Sequence, residues 1–198
     1  MKAVDFIKKY LPEAKKVEHE TGISAIAMIA QSAGENGWKE GPGNMMFGIK
    51  DTDGINGNEQ LIRTKEYLPT PDYKFPVIHS ITRVKKGNVY LYKYDIEDYF
   101  RKYDTPADSF RHYAQFIFEN PRYKKALKVK HDPELYLREI ARAGYATNSD
   151  YESYMMAVLN SVRRRLPQVF EREKIIMEPI KSIPVGKIAE EVSKKIRP

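Results

Sequence analysis

Residues 24–35 read SAIAMIAQSAGE, and every position before the final glutamate is small, apolar or uncharged. Ile26, Ile29, Ala30 and Ala33 share one face of a helix, with Thr21 or Ser24 available as its N-cap. No face of such a helix carries enough polarity to meet water, so it has to be surrounded by protein. The rest of the chain must therefore supply elements that wrap it. Gly37 and the Gly-Pro-Gly at 41–43 end the helix.

The wrapping elements follow from a period that changes twice. Val4, Phe6, Ile7, Tyr10 and Leu11 mark a first amphipathic helix over residues 3–19, interrupted or turned near Pro12. From about 44 to 100, FPVIHSITRV and NVYLYKYDI alternate and are rich in β-branched and aromatic residues; the KKGN between them predicts a β-hairpin. The helical period then returns in DTPADSFRHYAQFIFENP, with Asp104, Thr105 or Asp108 as caps. Two more helices are expected in DPELYLREIARAG and SDYESYMMAVLNSVRRRL, stopped by Gly144 and Pro167. Residues 168–198 are charged, hold prolines at 179, 184 and 198, and read as a peripheral extension of a main domain over 1–167. The expected class is α+β: mostly helices around the buried one, with a β-hairpin lobe at about 51–100 lying over a groove.

Bulk properties narrow the chemistry. The formal charge of +7 favours an anionic partner, and nucleic acid, acidic lipid and anionic cell wall all qualify. The basic residues are scattered as KK, RRR and KVKH, so most of them are read as a solubilising surface. The absence of cysteine excludes disulfides, thiolate zinc sites and cysteine nucleophiles. His19, His79, His112 and His131 show no ligand spacing, and no phosphate loop, dinucleotide fingerprint or Gly-x-Ser-x-Gly occurs, so no metal or cofactor is implied. No apolar run is long enough to cross a bilayer. The first residues lack the apolar stretch of about 7 to 15 residues of a secretory signal. The expectation is action inside the cell, export by another route, or a leader outside this sequence.

Glu35 at the end of the apolar helix raises a specific possibility. Helix-terminal carbonyls and the indole of Trp38 both disfavour a carboxylate, and a carboxyl kept protonated near neutral pH is the group that glycoside cleavage needs as proton donor. A solvated helix-end acid beside a core tryptophan has the same spacing, so the residues alone leave both readings open.

Three blocks extend the pattern. The first is Ala33-Gly34-Glu35-Asn36-Gly37-Trp38-Lys39 followed by Met45-Met46-Phe47-Gly48-Ile49-Lys50. The second is FRKYDTPADSFRHYAQFIFENPRY at 100–123, and the third is ARAGYATNSDYESYMMAVL. In this order they resemble the N-acetylglucosaminidases of glycoside hydrolase family 73, peptidoglycan hydrolases that include several autolysins. That family has an apolar helix ending Ala-Leu-Glu-Ser-x-Trp-Gly, then Asn-Leu-Phe-Gly-Ile-Lys, and later Gly-Tyr-Ala-Thr-Asp-x-x-Tyr. The chain departs from the pattern at Gly34, Asn36, Lys39, Met45 and Asn148.

The resemblance implies a lysozyme-like fold and an endo-acting hydrolase of the β-1,4 bond between N-acetylglucosamine and N-acetylmuramic acid. Glu35 is its implied general acid, and glycan strands at the cell wall, bound by a monomer, are its implied substrate. A second acid is implied in a Thr-Thr-Glu-Tyr-like segment, which RTKEYLP matches at Glu66. Aligning the hairpin by its glycine turn instead puts Arg83 there and makes Glu97 or Asp98 the substitute. Tyr145 and Tyr151 carry over as site tyrosines, while Trp38, Asn44 and Phe47 are expected to line the glycan groove, with core packing an equal role for Trp38 and the leading one for Phe47. The alternatives are a lytic transglycosylase using Glu35 alone and a non-catalytic wall-binding or assembly protein. A nucleic-acid-binding protein rests on charge only, and the three blocks argue against it.

Overall fold

The computed structural model describes residues 1–52, 56–146 and 150–181, with side chains to residue 170. The apolar stretch forms α2 (Ala25–Asn36), capped by Ser24, whose Oγ accepts from the Ala27 N–H, and closed by Gly37 in the left-handed region at φ 57°. Eight of its residues are buried, from Ala25 through Ala33. Helices α1 (Ala3–Thr21), α5 (Pro133–Arg142) and α6 (Tyr151–Lys181) pack around it, while α3 (Pro106–Glu119) packs on α1. This is the wrapping that an all-apolar helix demands. Among the described residues no helix is long and apolar enough to cross a membrane.

Both prolines expected to break helices lie inside them. Pro12 sits within α1, whose Phe6, Ile7, Tyr10, Leu11, Ala14 and Val17 are buried on one side of the helix. An interior proline costs about 3 kcal/mol, whereas each large apolar side chain buried returns about 1.5–3 kcal/mol, so the packed face holds the helix through it. Pro167 likewise does not stop α6, which continues to Lys181 with Val169 buried beyond the proline. The extension expected from residue 168 therefore begins inside a helix; Asn148 and residues 182–198 lie outside the described residues.

The β-lobe is a three-stranded antiparallel sheet in the order β1 (Glu59–Leu68), β3 (Val89–Arg101), β2 (Val77–Lys86). The expected hairpin is its β2–β3 half. Strand β1 adds a second partner to β3, with Glu66 opposite Tyr94 and Ile62 opposite Asp98. Tyr94, Ile96 and Phe100 are buried on one face of β3, so the even-numbered residues face inward and the odd-numbered ones outward.

A tight clamp joins lobe to helices. The Asn36 amide, one residue past Glu35, donates to the Met46 carbonyl at 2.9 Å, and the Met46 N–H donates to Ser109 Oγ at 2.9 Å. Asn44 donates to the carbonyls of Tyr103 and Asp104 at 2.9 and 3.0 Å. Gln60 on β1 donates to the carbonyls of Pro42 and Arg101 at 2.9 and 3.1 Å. Lys50 then pairs with Phe100 as an isolated antiparallel bridge, flanked by Arg101 N–H to Ile49 O at 3.1 Å and Asp51 N–H to Tyr99 O at 3.0 Å. The segment after the glycine-rich turn is thus an appended strand, and it faces the end of α2.

Candidate active site

A cleft of about 550 Å³ lies between the end of α2, the appended strand, α3 and the start of the α5–α6 connection, and Glu35, Lys50, Arg101, His112, Arg122, Tyr123 and Tyr145 line it. Glu35 occupies the last turn of α2, where the carbonyl end of the helix dipole disfavours negative charge. Its surface is open on the cleft side, while protein crowds the rest of the carboxyl. That desolvation raises its pKa, and the hydrogen bond from Tyr151 opposes the rise. Water on the open side screens the effect, and a substrate in the cleft would desolvate the carboxyl further.

The groups that crowd Glu35 are tyrosines. The Tyr151 hydroxyl donates to Glu35 Oε1 at 3.2 Å, and Tyr145 stacks on Tyr151 with centroids 5.9 Å apart and planes 21° from parallel. Burial raises the pKa of both phenols, and the negative charge of Glu35 adds to it, so both remain protonated donors. Behind them, one helical turn before Glu35, buried Gln31 accepts from Tyr113 OH at 2.5 Å, and Tyr113 OH meets Tyr136 OH at 2.9 Å. A line of buried hydroxyls and one amide thus backs the carboxyl from the core.

The expected indole contribution is not realised. Gly37 and Trp38 both take left-handed backbone angles, φ 57° and 62°, so the chain reverses and the indole packs edge-to-face on Phe6 at 5.8 Å with Arg165 over its ring at 5.9 Å. Trp38 does not line the cleft. Phe47 is fully buried, stacked on Tyr113 at 4.0 Å, so it supports the cleft from below and cannot touch a glycan in it. Asn44 spends its amide on the clamp. None of these three expected groove residues lines the cleft.

Strand alternation sorts the candidate second acids. Glu66 and Asp98 lie on the inward face of the sheet, and Lys50 on the appended strand reaches both, at 3.7 and 2.7 Å. Glu97 lies on the outward face and pairs with His79 at 2.8 Å. Arg83, the rival position from the glycine-turn alignment, stacks over Tyr90 at 4.3 Å. Of the sequence candidates, Glu35 and Tyr145 line the cleft, buried Tyr151 holds Glu35 from behind it, and Asp98 and Glu66 connect to it through Lys50.

Sequence reasoning missed Lys50, Arg101, His112, Arg122 and Tyr123. All five stand in the blocks quoted above, Lys50 in the first and Arg101, His112, Arg122 and Tyr123 in the second, which was the signal available for them. Arg101 is paired with Asp51 at 2.8 Å, and His112 Nδ1 meets Tyr103 OH at 2.7 Å. Burial pushes that Tyr103 phenol up to about 12.

Known proteins resemble the chain in family and in fold. The family model of the glucosaminidases, mannosyl-glycoprotein endo-beta-N-acetylglucosaminidases, matches residues 11–164. The peptidoglycan hydrolase FlgJ of Vibrio parahaemolyticus is 30% identical over 164 residues, which are 79% of this chain and 46% of that protein. FlgJ of Pseudomonas aeruginosa is 31% identical over 75% of this chain and 34% of its own length. The chain thus spans less than half the length of these relatives. The glycoside hydrolase domain of Salmonella typhimurium FlgJ superposes with a TM-score of 0.62 at 20% identity, over 90% of this chain and 99% of that one, and shows the fold.

Proposed function

From the premise that the chain belongs to the glucosaminidase family of glycoside hydrolases, we propose that it cleaves the β-1,4 bond between N-acetylglucosamine and N-acetylmuramic acid in peptidoglycan. It acts at the cell wall as a monomer without a cofactor. The observation that carries this reading is the carboxyl of Glu35, at the end of a buried helix and exposed in the cleft it lines, with its pKa raised by desolvation and one oxygen held by Tyr151.

In this reading the glycan lies along the cleft and Glu35 protonates the leaving oxygen. General acid catalysis of this kind contributes about 10²–10⁴ in rate. Tyr145, also on the cleft wall, donates a hydrogen bond toward the sugar or the reacting oxygen. Asp98 or Glu66, held by Lys50, activates the attacking water or stabilises positive charge at the sugar carbon. The test is mass spectrometry of fragments released from purified peptidoglycan by the wild type and by Glu35→Gln. New reducing ends at N-acetylglucosamine, absent with the variant, are expected; no release by the wild type over a range of pH and salt would overturn the proposal.

One observation favours a second reading. Lys50 neutralises both inward carboxylates, which suits chemistry run by Glu35 alone, as in a lytic transglycosylase. Anhydro-muramyl ends in the same experiment would select it.

A further inference from the structure

Next to the cleft lies a second groove of about 640 Å³ that holds no aromatic floor and no acid pair. Its walls carry Arg122, Lys124, Lys125, Lys128 and Arg142, against the single carboxylate of Glu139. Glu139 is taken up by Arg142 at 2.8 Å, and Arg142 also reaches Glu152 at 3.4 Å. Lys124, Lys125 and Lys128, on the five-residue helix α4 (Lys124–Lys128), are exposed and make no ion pair among the described residues. Like charges gathered this closely repel one another and favour an anion between them.

The groove and the cleft share one wall. Arg122 lines both, and it is held there by its stack over the Tyr123 ring at 4.6 Å and by donation to the Gly144 carbonyl at 3.3 Å. An anion bound beside α4 is therefore a short step from a sugar bound beside Glu35.

We propose that this basic groove binds the carboxylates of the peptide stems that peptidoglycan carries on its glycan, so that the enzyme reads peptide-bearing strands in preference to bare ones. The inference rests on the reading of the cleft given above. A stem of four or five residues, extended, reaches about 13–18 Å, whereas α4 is about 7.5 Å long, so a stem leaving the cleft at Arg122 covers the whole row of lysines. Covalent attachment to the strand in the cleft distinguishes stem carboxylates from free wall polymers bearing phosphodiesters, which have no reason to enter at Arg122.

The experiment compares peptide-bearing glycan strands with the same strands stripped of peptide by an amidase, using wild type and Lys124→Gln/Lys125→Gln/Lys128→Gln. Wild type is expected to show the lower KM on peptide-bearing strands, an advantage that shrinks as salt rises. The triple variant is expected to raise that KM about tenfold, three screened charge contacts together, with kcat kept and the stripped strands unaffected. Equal KM for the two substrates in the wild type, or an equal loss on both in the variant, would overturn the assignment. So would a loss confined to a glycerol-phosphate polymer offered as competitor. Binding of both strands to the Glu35→Gln protein, read by fluorescence anisotropy, tests the groove without turnover. Absence of cleavage by the wild type then removes the proposed reaction, while absence of discrimination in binding removes the groove.

Discussion

Replacing Glu35 with glutamine should separate activity from stability in a way that fixes the cause of both. The carboxyl is desolvated on its protein side, which raises its folded-state pKa. Between the unfolded value, about 4.3, and that raised value, the folded chain holds a proton that the unfolded chain lacks. Stability therefore falls as pH rises through this window and stays reduced above it. Glutamine carries no such penalty, so the stability of Glu35→Gln relative to wild type should climb from about pH 4 and level off at neutral pH. Each unit of elevation corresponds to about 1.36 kcal/mol, or about 2–4 °C of melting temperature per kcal/mol for a chain of this size. Because one side of Glu35 meets cleft water, the plateau is modest in the free protein. The same elevation is read independently from the alkaline limb of kcat/KM, where Glu35 loses the proton it must donate. Urea denaturation from pH 4 to 8 and the pH profile of hydrolysis thus report one number. A stability difference that stays flat with pH, or a plateau differing from the limb by more than about 1 kcal/mol, would show that burial of Glu35 is not what tunes it. Activity in the variant should fall by about 10²–10⁴.

Further outcomes follow from the same geometry. The double change Glu66→Gln/Asp98→Asn should lower kcat by about 10²–10⁴ if water is activated from the sheet, while Glu97→Gln on the outward face should leave it unchanged; full activity in the double variant would leave Glu35 working alone. Phe47→Ala should cost about 3–5 kcal/mol in denaturant unfolding with no change in KM of the folded fraction, and a raised KM instead would return Phe47 to the groove. Gly34→Leu, the residue usual in the resembling family, should destabilise by about 1–3 kcal/mol, because a Cβ there meets the terminal methyl of Met155. Adding Met155→Ala should recover part of the loss, and strict additivity of the two changes would show that they do not touch.

The legible parts of the sequence were those in which local chemistry and tertiary packing agree. Ser24, the apolar run and Gly37 delimit α2 to the residue, and Thr105 with Asp108 forms the capping box of α3. Strand β1 escaped notice because its inward positions are Gln60, Ile62, Thr64, Glu66 and Leu68, and so polar a face carries little alternation. Prolines 12 and 167 misled because the burial that outweighs them comes from other helices. Trp38 misled for a different reason: proximity in sequence to Glu35 is undone by two consecutive left-handed residues. Tyr145 and Tyr151 could be found only through the block that holds them, since nothing about a tyrosine in a chain with 14 of them marks it for a site.

The contact between Gly34 and α6 bears on how this chain can change length. Tyr154 donates to the Gly34 carbonyl at 3.1 Å and Met155 fills the space over Gly34, while Tyr151, one turn earlier, holds Glu35. A residue inserted between Tyr151 and Met155 would turn one end by about 100° against the other and shift it by about 1.5 Å, so either the phenol leaves the carboxyl or the methionine leaves the glycine. Insertions and deletions among homologues should therefore avoid this turn altogether. They should gather instead at the tip of the β2–β3 hairpin, where a side chain at Gly87 would meet open space.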